Sequence, residues 1–87
     1  MKIPEKFECG GRTITVERVG FMSDRYGEWV PGDGIIRVQK QTNEAEWITL
    51  LHEVCHAISD TYGCGVDDER TIEALAQGFA QFLKTKE

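Results

Sequence analysis

The sequence predicts an α+β domain in which a small antiparallel or mixed sheet, built by the N-terminal half, packs on two C-terminal helices. Three observations carry this expectation. Residues 6–39 alternate short β-branched segments with glycine-rich turns. Residues 44–83 repeat apolar side chains at helical spacing. Gly63-Cys64-Gly65 breaks that second pattern, leaving two helices joined by a short loop. Strands first and helices after is an order that layers helices against one sheet. At 87 residues the chain has room for one core, so residues 1–87 are expected to form a single minimal domain.

Taken in order, Lys6 to Glu8 and Arg12 to Val19 are strand-like, with Thr13, Ile14, Thr15 and Val16 in succession, and Gly10-Gly11 between them is a hairpin signal. Gly20 to Gly27 reads as a loop. Glu28-Trp29-Val30 has the length of a short strand, and Pro31-Gly32-Asp33-Gly34 is a dense turn signal. Ile35 to Gln39 is the next strand, with Ile36 and Val38 on one face.

Asn43 followed by Glu46 fits a capping box, which starts the first helix near Glu44. Its stripe is Ile48, Leu51, Cys55, Ile58 and Tyr62, while Leu50, Val54 and Ala57 extend burial to other sides, as in a central helix. Asp67 or Asp68 caps the second helix. Its core stripe is expected to be Ile72, Leu75, Ala76, Phe79 and Leu83, with Lys84 and Lys86 near the negative end of its dipole.

Composition narrows the function. Hydrophobic residues at 40% and charged residues at 29% suit a globular fold. A net charge of −5, with Arg12, Arg18 and Arg25 dispersed, argues against a nucleic-acid or anionic-membrane surface. The segment Met1 to Lys6 lacks the apolar run of a signal peptide, and no stretch approaches a membrane span. Cys9, Cys55 and Cys64 have no framework or CxxC spacing, so free thiols and a cytoplasmic location are expected. Trp29 and Trp47 are expected in the core or a cleft wall.

The chemistry is concentrated in His52-Glu53-Val54-Cys55-His56, an HExxH motif holding both histidines of the chain. Positions four apart share a helix face, so two imidazoles can reach one Zn2+ at about 2.0–2.1 Å, with Glu53 beside the open coordination position. A catalytic zinc needs a third protein ligand, and no third histidine exists. Asp67, Asp68, Glu69 and Glu73 follow the turn, on a helix that must fold back antiparallel to the first. Capping accounts for the aspartates. Glu69 and Glu73 share a face, and Glu73 abuts Ile72 and Ala76, so the spacing favours Glu73 over Glu69.

His52 to His56, followed 17 residues later by Glu73-Ala74-Leu75-Ala76 and then Phe79-Ala80, resembles the zincin metallopeptidases with a glutamate third ligand, and within them the small ImmA/IrrE-like and related phage or prophage enzymes. Val54-Cys55 stands where that motif commonly has Leu-Gly, and the Met-Pro that often follows the second motif is absent. The resemblance implies that His52, His56 and Glu73 bind zinc and that Glu53 is the general base. It also implies that Ile35 to Gln39 is a cleft-edge strand able to pair with an extended peptide.

The expected activity is thus a zinc-dependent peptidase acting on a peptide or protein substrate, in which Glu53 takes the proton of a metal-activated water. The donor that would stabilise the oxyanion is left open among Tyr62, Tyr26, Arg25 and Arg70. The alternative is a zinc-stabilised protein-binding module that keeps the same metal-helix pair without turnover. A third option is hydrolysis of a non-peptide amide or ester.

Overall fold

The computed structural model describes residues 1–86. Strands β1 (Lys6–Cys9), β2 (Arg12–Val19), β3 (Gly27–Val30) and β4 (Ile35–Gln39) precede helices α1 (Asn43–Tyr62) and α2 (Glu69–Thr85). The fold is α+β, and the sheet is mixed, in the order β1-β2-β4-β3. Gly10 and Gly11, with φ of 62° and 76°, make the tight turn that pairs β1 antiparallel with β2. A second hairpin joins β3 to β4. Its turn closes through the Gly34 amide, which donates to the Val30 carbonyl at 3.0 Å. That hairpin docks with β4 inward and parallel to β2, Val16 opposite Ile36 and Arg18 opposite Val38. β3 is thereby left at the edge.

Period-2 patterning decides which face is buried. Ile14 and Val16 of β2 and Ile36 and Val38 of β4 point to one side, where Leu50 and Ala57 of α1 meet them, with Ile3 and Cys9 completing the buried cluster. The opposite face carries charge across adjacent strands: Arg37 on β4 reaches Glu17 on β2 at 3.1 Å and Glu28 on β3 at 2.9 Å. α2 touches α1 and no strand among the described residues. The layers are therefore sheet, α1, α2.

This layering corrects the expected core of the second helix. Ile72 and Ala76 are buried, but Leu75 and Phe79 are 41% and 51% exposed, and Phe82 is exposed beside them. A helix that packs on one neighbour, and not on a sheet, buries only a narrow stripe. Ile58 and Tyr62 of α1 are exposed for the same reason, since they face neither the sheet nor α2 closely enough to be covered.

The start of α1 also differs. Thr42, not Asn43, is the N-cap, its hydroxyl accepting from the Ala45 amide at 3.2 Å. Glu46 turns inward instead of back to the cap: Arg18 Nε and Nη2 donate to its two oxygens at 2.9 and 2.8 Å, and the Gln41 amide donates at 2.9 Å. At 3% exposure, Glu46 is tolerated in the core because every contact it makes is charge-assisted. At the other end, Gly63 takes a left-handed φ of 63° and its amide donates to the Ser59 carbonyl, closing the helix. Asp68 caps α2 by accepting from the Thr71 amide at 2.9 Å.

Arg18 holds the Glu46 carboxyl below its ordinary pKa, opposed by burial. A carboxyl lowered on folding contributes its full stability above the unfolded-state value and loses it as pH falls through the folded one. Glu46→Ala should therefore lower the unfolding free energy at neutral pH by about 1–3 kcal/mol in a urea titration. The gap between wild type and variant should narrow on acidification below the ordinary carboxylate range.

Candidate metal centre

α1 supplies three functional side chains within two turns. At 3.6 residues per turn, His52, His56 and Glu53 fan across one side of the helix next to the face that Leu50 and Ala57 bury against the sheet. The His52 and His56 rings lie 5.2 Å apart between centroids. Both are half-buried, and their Nε2 atoms turn to the same carboxylate. Glu69, the first residue of α2, stands 2.9 Å from His52 Nε2 through one oxygen and 2.8 Å from His56 Nε2 through the other. One donor atom from each of His52, His56 and Glu69 lies within 4.8 Å of the other two.

Glu73, the carboxylate favoured from spacing, is placed differently. Its oxygen is 2.9 Å from His52 Nδ1, on the opposite nitrogen of the same ring. Gln77 Nε2 donates to the other Glu73 oxygen at 2.9 Å. With Glu73 ionised, His52 Nδ1 donates to it, so Nε2, which faces Glu69, is the nitrogen open to a metal once its own proton is lost.

The chain length between the helices explains why Glu69 and not Glu73 meets both histidines. Six residues of α1 follow His56, a rise of about 9 Å at 1.5 Å each. The segment 63–68 is long enough to travel back over that distance, so α2 begins already level with His56. One turn further along, Glu73 is level with His52. The antiparallel helices thus set one i,i+4 pair, His52 and His56, against another, Glu69 and Glu73. That match of spacings was present in the sequence. The loop decides the pairing, because its six residues bring the first residue of α2 back level with His56.

The electrostatics are those of a carboxylate-rich pocket around two imidazoles. Burial works against charge on His52, but Glu73, Glu53 and Glu69 outweigh it and its pKa is raised. Glu53 lines the same cleft without joining the trio. Burial pushes its carboxyl up, against the lowering influence of His52 and His56. Gln77, ahead of His52, holds Glu73 below the ordinary range, against burial.

The trio opens into a cleft of about 780 Å³. Its floor is α1, one wall is β3 with the segment before it, and the other is the first turns of α2. The strand implied as the cleft edge, Ile35 to Gln39, is instead interior to the sheet, because β4 pairs on both sides. The edge along the cleft is β3. Trp29 forms part of that wall and donates from Nε1 to Asp60 at 2.7 Å, while Trp47 packs against the core and donates to the Met1 carbonyl. Of the four donors left open, Arg25 and Tyr26 line the cleft and Arg70 does not. The Tyr62 hydroxyl is taken up elsewhere, accepting from the Gly10 amide at 2.9 Å. The cysteines are free and none belongs to the trio. No helix of the described residues is long and apolar enough to cross a membrane.

Comparison with known proteins finds no family model, curated protein or solved structure that matches this chain. The likeness to zincins rests on the residues alone.

Sequence reasoning also passed over Gly27, which sets the distance between the edge strand and α1. A Cβ there would lie 2.6 Å from Thr49 Cγ2, 3.1 Å from the Arg37 carbonyl and 3.4 Å from Glu53 Cγ. Gly27→Ala is expected to lower stability by about 1–3 kcal/mol through overpacking. Adding Thr49→Ser, which removes the clashing methyl, should recover much of that loss in a double-mutant cycle read by chemical denaturation.

Proposed function

We propose that this chain is a zinc-dependent peptidase in which His52, His56 and Glu69 hold the metal and Glu53 is the general base. The observation that carries the reading is the convergence of two Nε2 atoms and one carboxylate, in an open cleft that also contains a separate, half-buried carboxylate. The donor set fits zinc: two neutral imidazoles and a glutamate are a familiar ligand combination for a catalytic ion. Protons and a dication compete for the same three groups, so the ion pairs of the trio are what metal loading would replace. When bound, zinc lowers the pKa of water and polarises a carbonyl.

The residues divide the remaining work. Glu73 fixes the orientation of His52 through Nδ1, and Gln77 fixes Glu73 in turn. Glu53 accepts a proton from water as the water oxygen bonds to the carbonyl carbon, then delivers it to the amide nitrogen as the C–N bond breaks. A carboxyl raised by burial suits both halves of that exchange. A peptide or protein substrate is supported by β3, an edge strand beside the cleft that offers backbone pairing to an extended chain. The three unpaired thiols suit the reducing cytoplasm.

Metal analysis and peptide hydrolysis test the assignment together. Wild type should carry one zinc per chain. Glu69→Ala and His56→Ala should lose it, and Glu73→Ala should keep it with affinity weakened by about 10- to 100-fold. Glu53→Gln should retain the metal and stop cleavage of a peptide library. Zinc retained by Glu69→Ala sinks the ligand set. Zinc bound by a wild type that cleaves nothing turns the reading to a zinc-stabilised binding module.

A further inference from the structure

The cleft is strongly acidic: Asp24, Glu28, Glu53, Asp60, Glu69 and Glu73 all line it. Among the described residues that line it, Arg25 is the sole arginine or lysine. It stands just before β3, on the same rim as the edge strand. Its guanidinium is held on one side, with Nε and Nη2 donating to the two Asp24 oxygens at 3.0 Å each. The remaining nitrogen, Nη1, faces Glu28 at 3.6 Å, beyond hydrogen-bond length. An arginine has about five N–H groups, and the Asp24 pair engages only two of them. Arg25 and Glu53 line the same cleft as the trio.

The other cleft-lining donor that the sequence left open is less well placed. Tyr26 is 64% exposed, and among the described residues no hydrogen bond holds its hydroxyl. A held cation with unused N–H groups is a better preorganised partner for developing negative charge than a free neutral hydroxyl.

We propose that Arg25, held in place by Asp24, is the catalytic residue that stabilises the negative charge developing on the substrate's carbonyl oxygen. This rests on the hydrolase reading above. As the water oxygen bonds to the carbonyl carbon, the carbonyl π pair moves onto its oxygen and Glu53 takes the water proton. As the C–N bond breaks, that pair re-forms the carbonyl and the proton passes from Glu53 to the nitrogen. Arg25 acts on the charged oxygen between those two events, and Asp24 is its positioning residue. Because guanidinium stays protonated, this contribution is independent of pH across the working range.

The test is calorimetric titration of the zinc-loaded protein with two capped tripeptide analogues that share their side chains. One is phosphinic, with a tetrahedral anion at the cleavage position; the other is a hydroxamate, with a planar metal-binding group. Arg25→Ala should weaken the phosphinic analogue on the order of 100-fold. Zinc content and hydroxamate affinity should stay at the wild-type value, and Arg25→Lys should fall between. Unchanged phosphinic affinity in Arg25→Ala overturns the proposal. So does equal weakening of both analogues, which would show that Arg25 only shapes the cleft. A loss confined to Tyr26→Phe overturns it in favour of Tyr26. Failure of wild type to bind either analogue is a different result: it overturns the hydrolase reading itself.

Discussion

The packing of one face of α1 on the sheet is the constraint from which the site follows. Leu50 and Ala57, seven residues apart and nearly aligned along the helix, seat against Ile14, Val16, Ile36 and Val38. That contact fixes the rotation of the helix about its own axis. Once it is fixed, Glu53 must face β3, His52 must face α2, and His56 must lie between them. Glu46 strengthens the same face at its N-terminal end through Arg18 of β2. A rotation of one residue would send the histidines into the core or out to solvent.

The second helix completes the site with little packing of its own. Ile72 and Ala76 are its buried residues, and its first turn is anchored by the Asp68 cap and by Glu69 and Glu73 on the two imidazoles. The polar contacts therefore do two things at once. They assemble the donor trio, and they dock α2. A bound dication would strengthen that docking, because it replaces proton-dependent ion pairs with a shared ligand set. The small apolar contribution of α2 also leaves Leu75, Phe79 and Phe82 exposed.

The cleft exists because the short strand β3, and not β4, lies at the edge. Gly27 lets this strand approach α1 closely enough for its rim to stand over Glu53, and the segment before it brings Asp24 and Arg25 to the same place. The result is an acidic pocket with one held cation. The six carboxylates surround the two imidazoles, and the guanidinium stands on the β3 rim.

Patterns encoded in neighbouring residues were legible in the chain alone. The period-2 segments, the glycine turns, the two helices, the α+β class and the HExxH motif all follow from local spacing. The end of α1 at Gly63 follows from local capping chemistry, which narrows the cap of α2 to Asp67 or Asp68, of which the structure uses Asp68. Tertiary structure decided what local spacing cannot. It put β4 inside the sheet, because a whole hairpin docks as a unit. It drew Glu46 from an expected capping box to Arg18, a residue 28 positions away. It exposed Leu75 and Phe79, because helical periodicity reports amphipathicity but not how many neighbours will cover the apolar side. It set Glu69 against both histidines and Glu73 behind one of them, because that alignment depends on how far a six-residue loop carries the chain back along α1. Sequence named the HExxH helix; the return path of the chain chose which carboxylate faces both of its histidines.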